Sequence, residues 1–369
     1  MKRKVKVLHI IDHLGSGGAQ EIVLDLARYL DHAEFDLQVW CLHGYGSYFN
    51  ELRALGIPVK SLSRWKFNPF IPLSLWYGLR KEQFDILNLH LSFSTFLGGV
   101  LGRLAGVSKI VVTIHALKNQ SRLWVFPMWG LLSSLYDKFI AEVAYSVKEL
   151  RESGIASEKI AFIRLGTKKA VVDSDVSDAP LSVGHWAVNG ENPILLNIAR
   201  LHEHKGQIYL IRAMESVIQQ MPAAKLLIVG DGPLEAVLET EIKRLHLENS
   251  VFLLGFRRDL EALYSSCDVF VMPSVHEGMG VAIIQAMAYE KPVIASDVGA
   301  IPEAVRPGET GVLVPPGDPA ALALAILDLL GNPERLHCLG KQAQAFVREE
   351  FLLGNMIRGY TALYRSLSA

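Results

Sequence analysis

The chain has 369 residues and is half hydrophobic, enough for two domains with cores of their own, and nothing in it suggests disorder. No apolar run reaches the ~18 to 20 residues of a membrane-spanning helix, and Cys41, Cys267 and Cys338 lie far apart with no metal-like spacing, as in a reduced, cytoplasmic protein. The net charge of -1 hides an asymmetry: residues 1–170 carry 22 Lys and Arg against 14 Asp and Glu, and the remainder 15 against 24.

A basic N-terminal half fits a partner that is anionic or lies on an anionic surface. Ordinary scatter of charge over solvated faces remains the alternative. No nucleic-acid partner is expected. The opening "MKRKVKVLHIIDHLGSGG" has a basic start and a short apolar run, then Asp12 and His13. It reads as a β-strand entering a turn rather than a signal peptide.

Strand-like runs alternate with helical patterns from there on. In the first half they are "KVKVLHII", "FDLQVWCL", "FDILNLHL", "KIVVTIHAL" and "KFIAEVAYS". In the second they are "PILLNIARL", "AKLLIVG", "SVFLLGF", "DVFVMPS", "PVIASDVG" and "TGVLVPP". Continuous Val/Ile/Leu runs between amphipathic helices argue for parallel sheets covered on both faces. The expectation is therefore α/β, two doubly wound domains: residues 1–170, a linker at 171–190 and residues 191–350. An amphipathic C-terminal helix at 351–369 is expected to return to the first domain. The linker holds Asp173-Ser174-Asp175, read as a solvated loop.

Several turns carry chemistry. In "DHLGSGGAQEIVLDLARYL" a strand ends, glycines turn and a helix begins, as at a phosphate site. The spacing from Gly15 through Gln20 is not G-x-G-x-x-G, so a nicotinamide dinucleotide is disfavoured, and a ligand-free turn stays open. In "NIARLHEHKGQ", Arg200 and Lys205 follow the first strand of the second domain, where two cations can neutralise a diphosphate. Alone, they are also an ordinary surface pair. "KLLIVGDGPLE" is a common strand-to-helix turn, with Pro233 suited to a first helical turn. In "SVHEGMGVAIIQAM", a glycine loop enters a helix, and the N–H groups of Gly278, Met279, Gly280 and Val281 would face a phosphate. Glu277 belongs in the loop and Gln285 in the second helical turn. His115 stands at the carboxyl end of a strand, the edge where open α/β sheets bind ligands, although a lone histidine there is more often structural.

Together these motifs, in this order, resemble the glycosyltransferase group 1 family, retaining enzymes of the GT-B fold, in which two Rossmann-like domains face a central cleft. The densest match runs from "NIARLHEHKG" through "DVFVMPSVHEGMGVAIIQAM" to "GETGVLVPPGDPAALA". The resemblance implies that Arg200 and Lys205 hold the donor diphosphate and that Glu277 touches the donor sugar. Gly278, Met279, Gly280 and Val281 would bind phosphate through their backbone. Gly17 and Gly18 would close over the donor phosphate, with Gly18, Gln20 and His115 on the acceptor side. His115 would lie at the reacting centre.

Gln285 stands where the family carries a glutamate that accepts from both ribose hydroxyls, whereas glutamine accepts from one and donates to the other. The implied activity is metal-independent transfer from a nucleotide-sugar to a glycan or lipid-linked acceptor of surface polysaccharide, lipopolysaccharide or glycolipid synthesis. No cofactor is expected. The setting would be the cytoplasm, peripheral to the anionic inner membrane face. "RWKFNPFIPLSLWYGLRK" (64–81) and "SRLWVFPMWGLL" (121–132) mix aromatic and basic residues as interfacial segments do, although for each alone plain helix and loop packing is the better reading. Two rival readings are a catalytically weak binding relative, supported by Gln285, and a sugar-nucleotide epimerase on the same fold.

Overall fold

Runs of β-branched and aliphatic residues, buried on both faces, become the central strands of two parallel sheets. The computed structural model describes residues 3–15, 17–66, 68–115, 132–167, 182–183, 186–187, 192–257 and 259–368. The chain divides into two compact units: Met1–Leu165 with Gly354–Ala369, and Gly166–Leu353. Most of the linker expected at 171–190, with its Asp173-Ser174-Asp175, lies outside the described residues, as does nearly all of 121–132.

The first unit holds β1 (Val5–Ile11), β2 (Phe35–Cys41), β3 (Val59–Ser61), β4 (Ile86–His90), β5 (Lys109–Ile114), β6 (Lys138–Ala141) and β7 (Ile160–Phe162). Their order is β3-β2-β1-β4-β5-β6-β7, all parallel. The order reverses between β1 and β4, where Ile11 lies beside His90. A ligand crevice forms at such a switch point, outside the carboxyl ends of the strands.

The second unit follows the same plan. After a short antiparallel pair, β8 (Ser182–Val183) and β9 (Trp186–Ala187), come β10 (Ile194–Ile198), β11 (Lys225–Val229), β12 (Val251–Leu253), β13 (Val269–Met272), β14 (Val293–Ser296) and β15 (Gly311–Val314). The order is β12-β11-β10-β13-β14-β15, all parallel, with the switch between β10 and β13. Every residue of β13 and β14 is buried. The helix of "GDGPLE" begins at Glu235, so Pro233 lies in the turn ahead of it rather than in the first helical turn.

The helix Leu353–Ser368 packs on the first unit through Met356, Tyr360 and Tyr364, each fully buried and four residues apart on one face. Tyr364 meets Phe35 edge to face at 5.9 Å. Arg365 pairs with Glu34 through two bonds of 2.7 and 2.6 Å, but both side chains are solvated. Such a pair gives at most ~1 kcal/mol. Burying Met356 alone gives ~1.5–3 kcal/mol, so the apolar face fixes the docking.

Candidate active site

In the second unit the side chains expected to be functional gather at the switch point. β10 ends at Ile198, and the next turn carries Arg200, exposed, and Lys205. The Gly230-Asp231-Gly232 turn holds this segment in place. The Asp231 carbonyl accepts from the Leu201 N–H at 2.8 Å, and the Leu201 carbonyl from the Leu234 N–H at 3.2 Å. Gly206 has φ 69°, and a Cβ there would run into the carbonyl oxygen of Pro273. Glycine is thus needed where the Lys205 turn passes the end of β13.

Beyond β13 the loop 273–280 leads to the helix Val281–Ala288, which Gly280 caps at φ 73° with no side-chain cap. Glu277 sits in that loop, as expected. Its carboxylate accepts a short charged bond from the Lys205 ammonium and a 3.1 Å bond from the Ser274 hydroxyl. Burial pushes the Glu277 carboxyl up, but the Lys205 charge and hydrogen bond and the Ser274 hydroxyl outweigh it and hold it below the ordinary carboxylate value. His204 is pushed down to about 4, by burial first and then by the charges of Lys205 and His202. It therefore stays neutral, and its carbonyl accepts from the Val275 N–H at 2.8 Å, tying the Lys205 turn to the Glu277 loop.

One expected phosphate donor is otherwise engaged: the Gly278 N–H donates to Glu277 Oε1 at 3.2 Å. The carboxylate lies closer to this amide than a loop read from sequence alone would suggest. Met279 is buried, and the backbone of Met279, Gly280 and Val281 forms the helix entrance. Gln285 lies in the second turn and is also buried, with Oε1 accepting from the Tyr264 hydroxyl at 3.0 Å. Ser274, His204 and Tyr264 were not singled out from sequence. Ser274 stood three residues before Glu277, but Tyr264 is 21 residues before Gln285 and meets it only through the fold.

The arrangement suits an anion. Arg200 and Lys205 exceed the single Glu277 by one positive charge, and an uncapped helix N-terminus lies alongside. Among the described residues no group of three or more His, Cys, Asp or Glu could hold a metal ion.

In the first unit, Gly17 caps the helix Gly18–Tyr29, and Gln20 in its first turn is buried, its amide reaching the His13 carbonyl at 3.3 Å. Asp12, at the end of β1, accepts from the Ser94 N–H at 2.6 Å in the first turn of the helix Ser92–Ala105, the helix that follows β4. His115 follows β5. Its Nδ1 meets Glu142 at 2.8 Å and its Nε2 meets His90 Nδ1 at 3.0 Å. Both ring nitrogens are thus engaged by the protein.

Residues 16–168 match the family model described as Glycosyltransferase Family 4, and residues 182–346 the model described as Glycosyl transferases group 1. The Bacillus subtilis protein EpsD, assigned by name as a glycosyltransferase, is 30% identical over 300 residues, 75% of this chain and 77% of its own length. This chain belongs to the glycosyltransferase group 1 family. Another member, the phosphatidyl-myo-inositol mannosyltransferase of Mycobacterium leprae, is 32% identical over 79% of this chain and 77% of its own. The crystal structure of Anabaena HepE in complex with UDP and glucose superposes with a TM-score of 0.86 at 24% identity, covering 98% of this chain and 100% of that one. That likeness establishes the GT-B fold class. Family and relatives together make the activity glycosyl transfer.

Proposed function

We propose that this family member is a retaining, metal-independent transferase that moves a sugar from a nucleotide-diphosphate donor to a glycan or lipid-linked acceptor of cell-surface synthesis. The observation that carries the reading is the Lys205–Glu277 pair at the mouth of the helix Val281–Ala288, on the switch point of the second sheet. The donor diphosphate would lie at that helix entrance, against Arg200 and Lys205. Glu277, kept ionised by Lys205, would accept from a donor sugar hydroxyl.

Charge develops on the diphosphate as its bond to the anomeric carbon breaks. Arg200, Lys205 and the helix N-terminus would stabilise it there. The acceptor oxygen would bond to the same face of the sugar, and its proton would pass to the departing phosphate oxygen. No protein nucleophile takes part. The names of relatives support the donor class: an Escherichia coli enzyme 26% identical over 80% of each chain is a UDP-Gal-dependent galactosyltransferase acting on a diphosphoundecaprenol-linked sugar.

A lipid-linked acceptor also fits the surface of the first unit. Trp65, Phe70, Leu73 and Tyr77 are each more than 60% exposed, within a segment that also carries Arg64, Lys66, Arg80 and Lys81. Phe70, Leu73 and Tyr77 follow helical spacing along one side of the helix Ile71–Glu82 and its cap. No helix among the described residues is long and apolar enough to cross a membrane. The proposed attachment is peripheral, through this aromatic and basic surface, at the anionic face of the inner membrane on the cytoplasmic side.

The test is a thermal-shift screen of UDP, GDP, ADP and their sugars in EDTA, followed by transfer assays on lipid-linked acceptors with NMR of the product anomer. Stabilisation by one nucleotide-sugar and a product that keeps the donor anomer support the reading. An inverted product, activity lost in EDTA, or an epimer formed from donor alone would overturn it.

A further inference from the structure

The carboxyl ends of β1, β4, β5 and β6 place four ionisable side chains in a row inside the first unit. Glu142 follows β6, His115 follows β5, His90 ends β4 and His9 lies within β1. The contacts run Glu142 Oε2 to His115 Nδ1 at 2.8 Å, His115 Nε2 to His90 Nδ1 at 3.0 Å, and His90 Nε2 to His9 Nδ1 at 2.9 Å. The ring centroids lie 5.2 and 5.1 Å apart with interplanar angles of 20° and 15°, so the three rings run edge to edge in nearly one plane. His9 and His90 are completely buried.

The C-terminal helix closes this row into a circuit. The Tyr364 hydroxyl lies 3.3 Å from His9 Nε2 and accepts from the Asn88 amide at 2.8 Å. The Asn88 carbonyl accepts from the Thr113 hydroxyl at 2.9 Å. The Tyr360 hydroxyl lies 3.3 Å from Thr113 Oγ1 and 3.4 Å from Glu142 Oε1, back at the start.

Proton counting gives the circuit one direction. An ionised Glu142 only accepts, so His115 carries its proton on Nδ1. Neutral His115 then accepts at Nε2, which requires His90 to donate from Nδ1. His90 in turn accepts at Nε2 from His9 Nδ1, and His9 Nε2 accepts from Tyr364. Reversing the histidines would point His9 Nε2–H at the Tyr364 oxygen and leave the tyrosine proton without its acceptor in a dry site, which is costly. It would also require either a protonated Glu142 or a second proton on His115, making it an imidazolium that donates from both ring nitrogens.

We propose that His9, His90 and Tyr364 are positioning residues that hold His115 in the neutral Nδ1–H form and in a fixed ring orientation, coupling the C-terminal helix to the acceptor-side edge of the sheet. This rests on the reading of His115 as a residue of the reacting centre. It refines that reading: His115 serves as a held, neutral group with both ring nitrogens engaged by the protein, in keeping with an acceptor proton that passes to the departing phosphate oxygen.

The experiment is long-range proton–nitrogen correlation NMR on protein labelled at histidine nitrogen, at pH 7.5, with peaks assigned by His9→Gln, His90→Gln and His115→Gln. All three are expected as Nδ1–H tautomers, the form less populated by free imidazole. Tyr364→Phe keeps the ring packed against Phe35 and removes only the hydroxyl. It should shift the His115 resonances and lower kcat on the order of tenfold, the scale for losing an outer partner of a working histidine, with KM for the nucleotide-sugar unchanged.

An Nε2–H tautomer at any of the three overturns the circuit, whether or not the chain transfers sugar. Correct tautomers with an unchanged kcat in Tyr364→Phe overturn its use in the reaction. If Tyr364→Phe fails to fold, Thr113→Val breaks the circuit at the Asn88 carbonyl and carries the same expectations. Absence of transfer with every donor counts against the proposed function alone.

Discussion

Acid should loosen the first unit through His9, and the size of the effect follows from its burial. The side chain is completely buried, and desolvation of its charged form pushes its pKa down to about 3. In the unfolded chain the ordinary value is ~6.5. The folded pKa lies below the unfolded one, so folding excludes a proton that the open chain accepts. Stability is full above pH ~6.5 and falls as pH drops toward ~3. Between pH 7 and 5 the unfolded histidine gains about three-quarters of a proton and the folded one almost none, a loss of ~2 kcal/mol. His90 is also lowered, by burial first and then by the neighbouring His9 and His115, and acts in the same direction. The assay is urea unfolding at pH 7 and pH 5, read from amide protection in β1, for the parent and for His9→Gln. The variant is less stable throughout, but it should lose ~2 kcal/mol less than the parent over this interval. Equal losses would refute the argument, because they would mean that His9 is protonated inside the fold or is already solvated.

At the donor side, Lys205→Ala should cut transfer by ~10²-fold or more, and Arg200→Ala likewise, the scale for losing a charge partner in the transition state. Steady-state rates near the parent in both would remove the diphosphate role. Gln285→Glu places a carboxylate against Tyr264, which can still donate to it, and should preserve or tighten nucleotide binding. Calorimetry with ribo and 2′-deoxy nucleotides on parent and variant checks this, and an equal deoxy penalty in both would show that position 285 does not read that hydroxyl.

The sheets were legible because both of their faces are covered, which forces long Val/Ile/Leu runs such as "ILLNI" and "VFVM". β3 and β7 were not. Each has three residues at the sheet margin, mostly half-buried, too short for any period to show. Glu277 and Lys205 could be named because their turns, taken with the other motifs in order, resemble those of the glycosyltransferase group 1 family. Gly299 was not singled out, although at φ 57° a Cβ there would meet the Glu277 carbonyl. The buried circuit escaped because its members occupy ordinary strand positions. "LHII", "LNLH" and "IAEV" read as apolar strands with only one or two polar residues each, and only the order β1-β4-β5-β6 sets those residues side by side. Gln285 could be named, but its partner was hidden: Tyr264 lies on another helix, 21 residues earlier, and only the fold brings the two together.

The first unit is assembled from two stretches of chain, and this has a consequence during biosynthesis. Gly354–Ala369 follows Leu165 by ~190 residues, which take ~10–40 s to translate. Over that interval the seven strands can pair, but His9, Asn88 and Thr113 lack the tyrosines that complete their hydrogen bonds, and the apolar surface that Met356 will cover stays open. The second unit has no such wait, since all its segments are contiguous. A nascent chain would thus pass through a state with one finished domain and one waiting. The ribosome and whatever chaperones attend it must keep that waiting surface from finding a different partner.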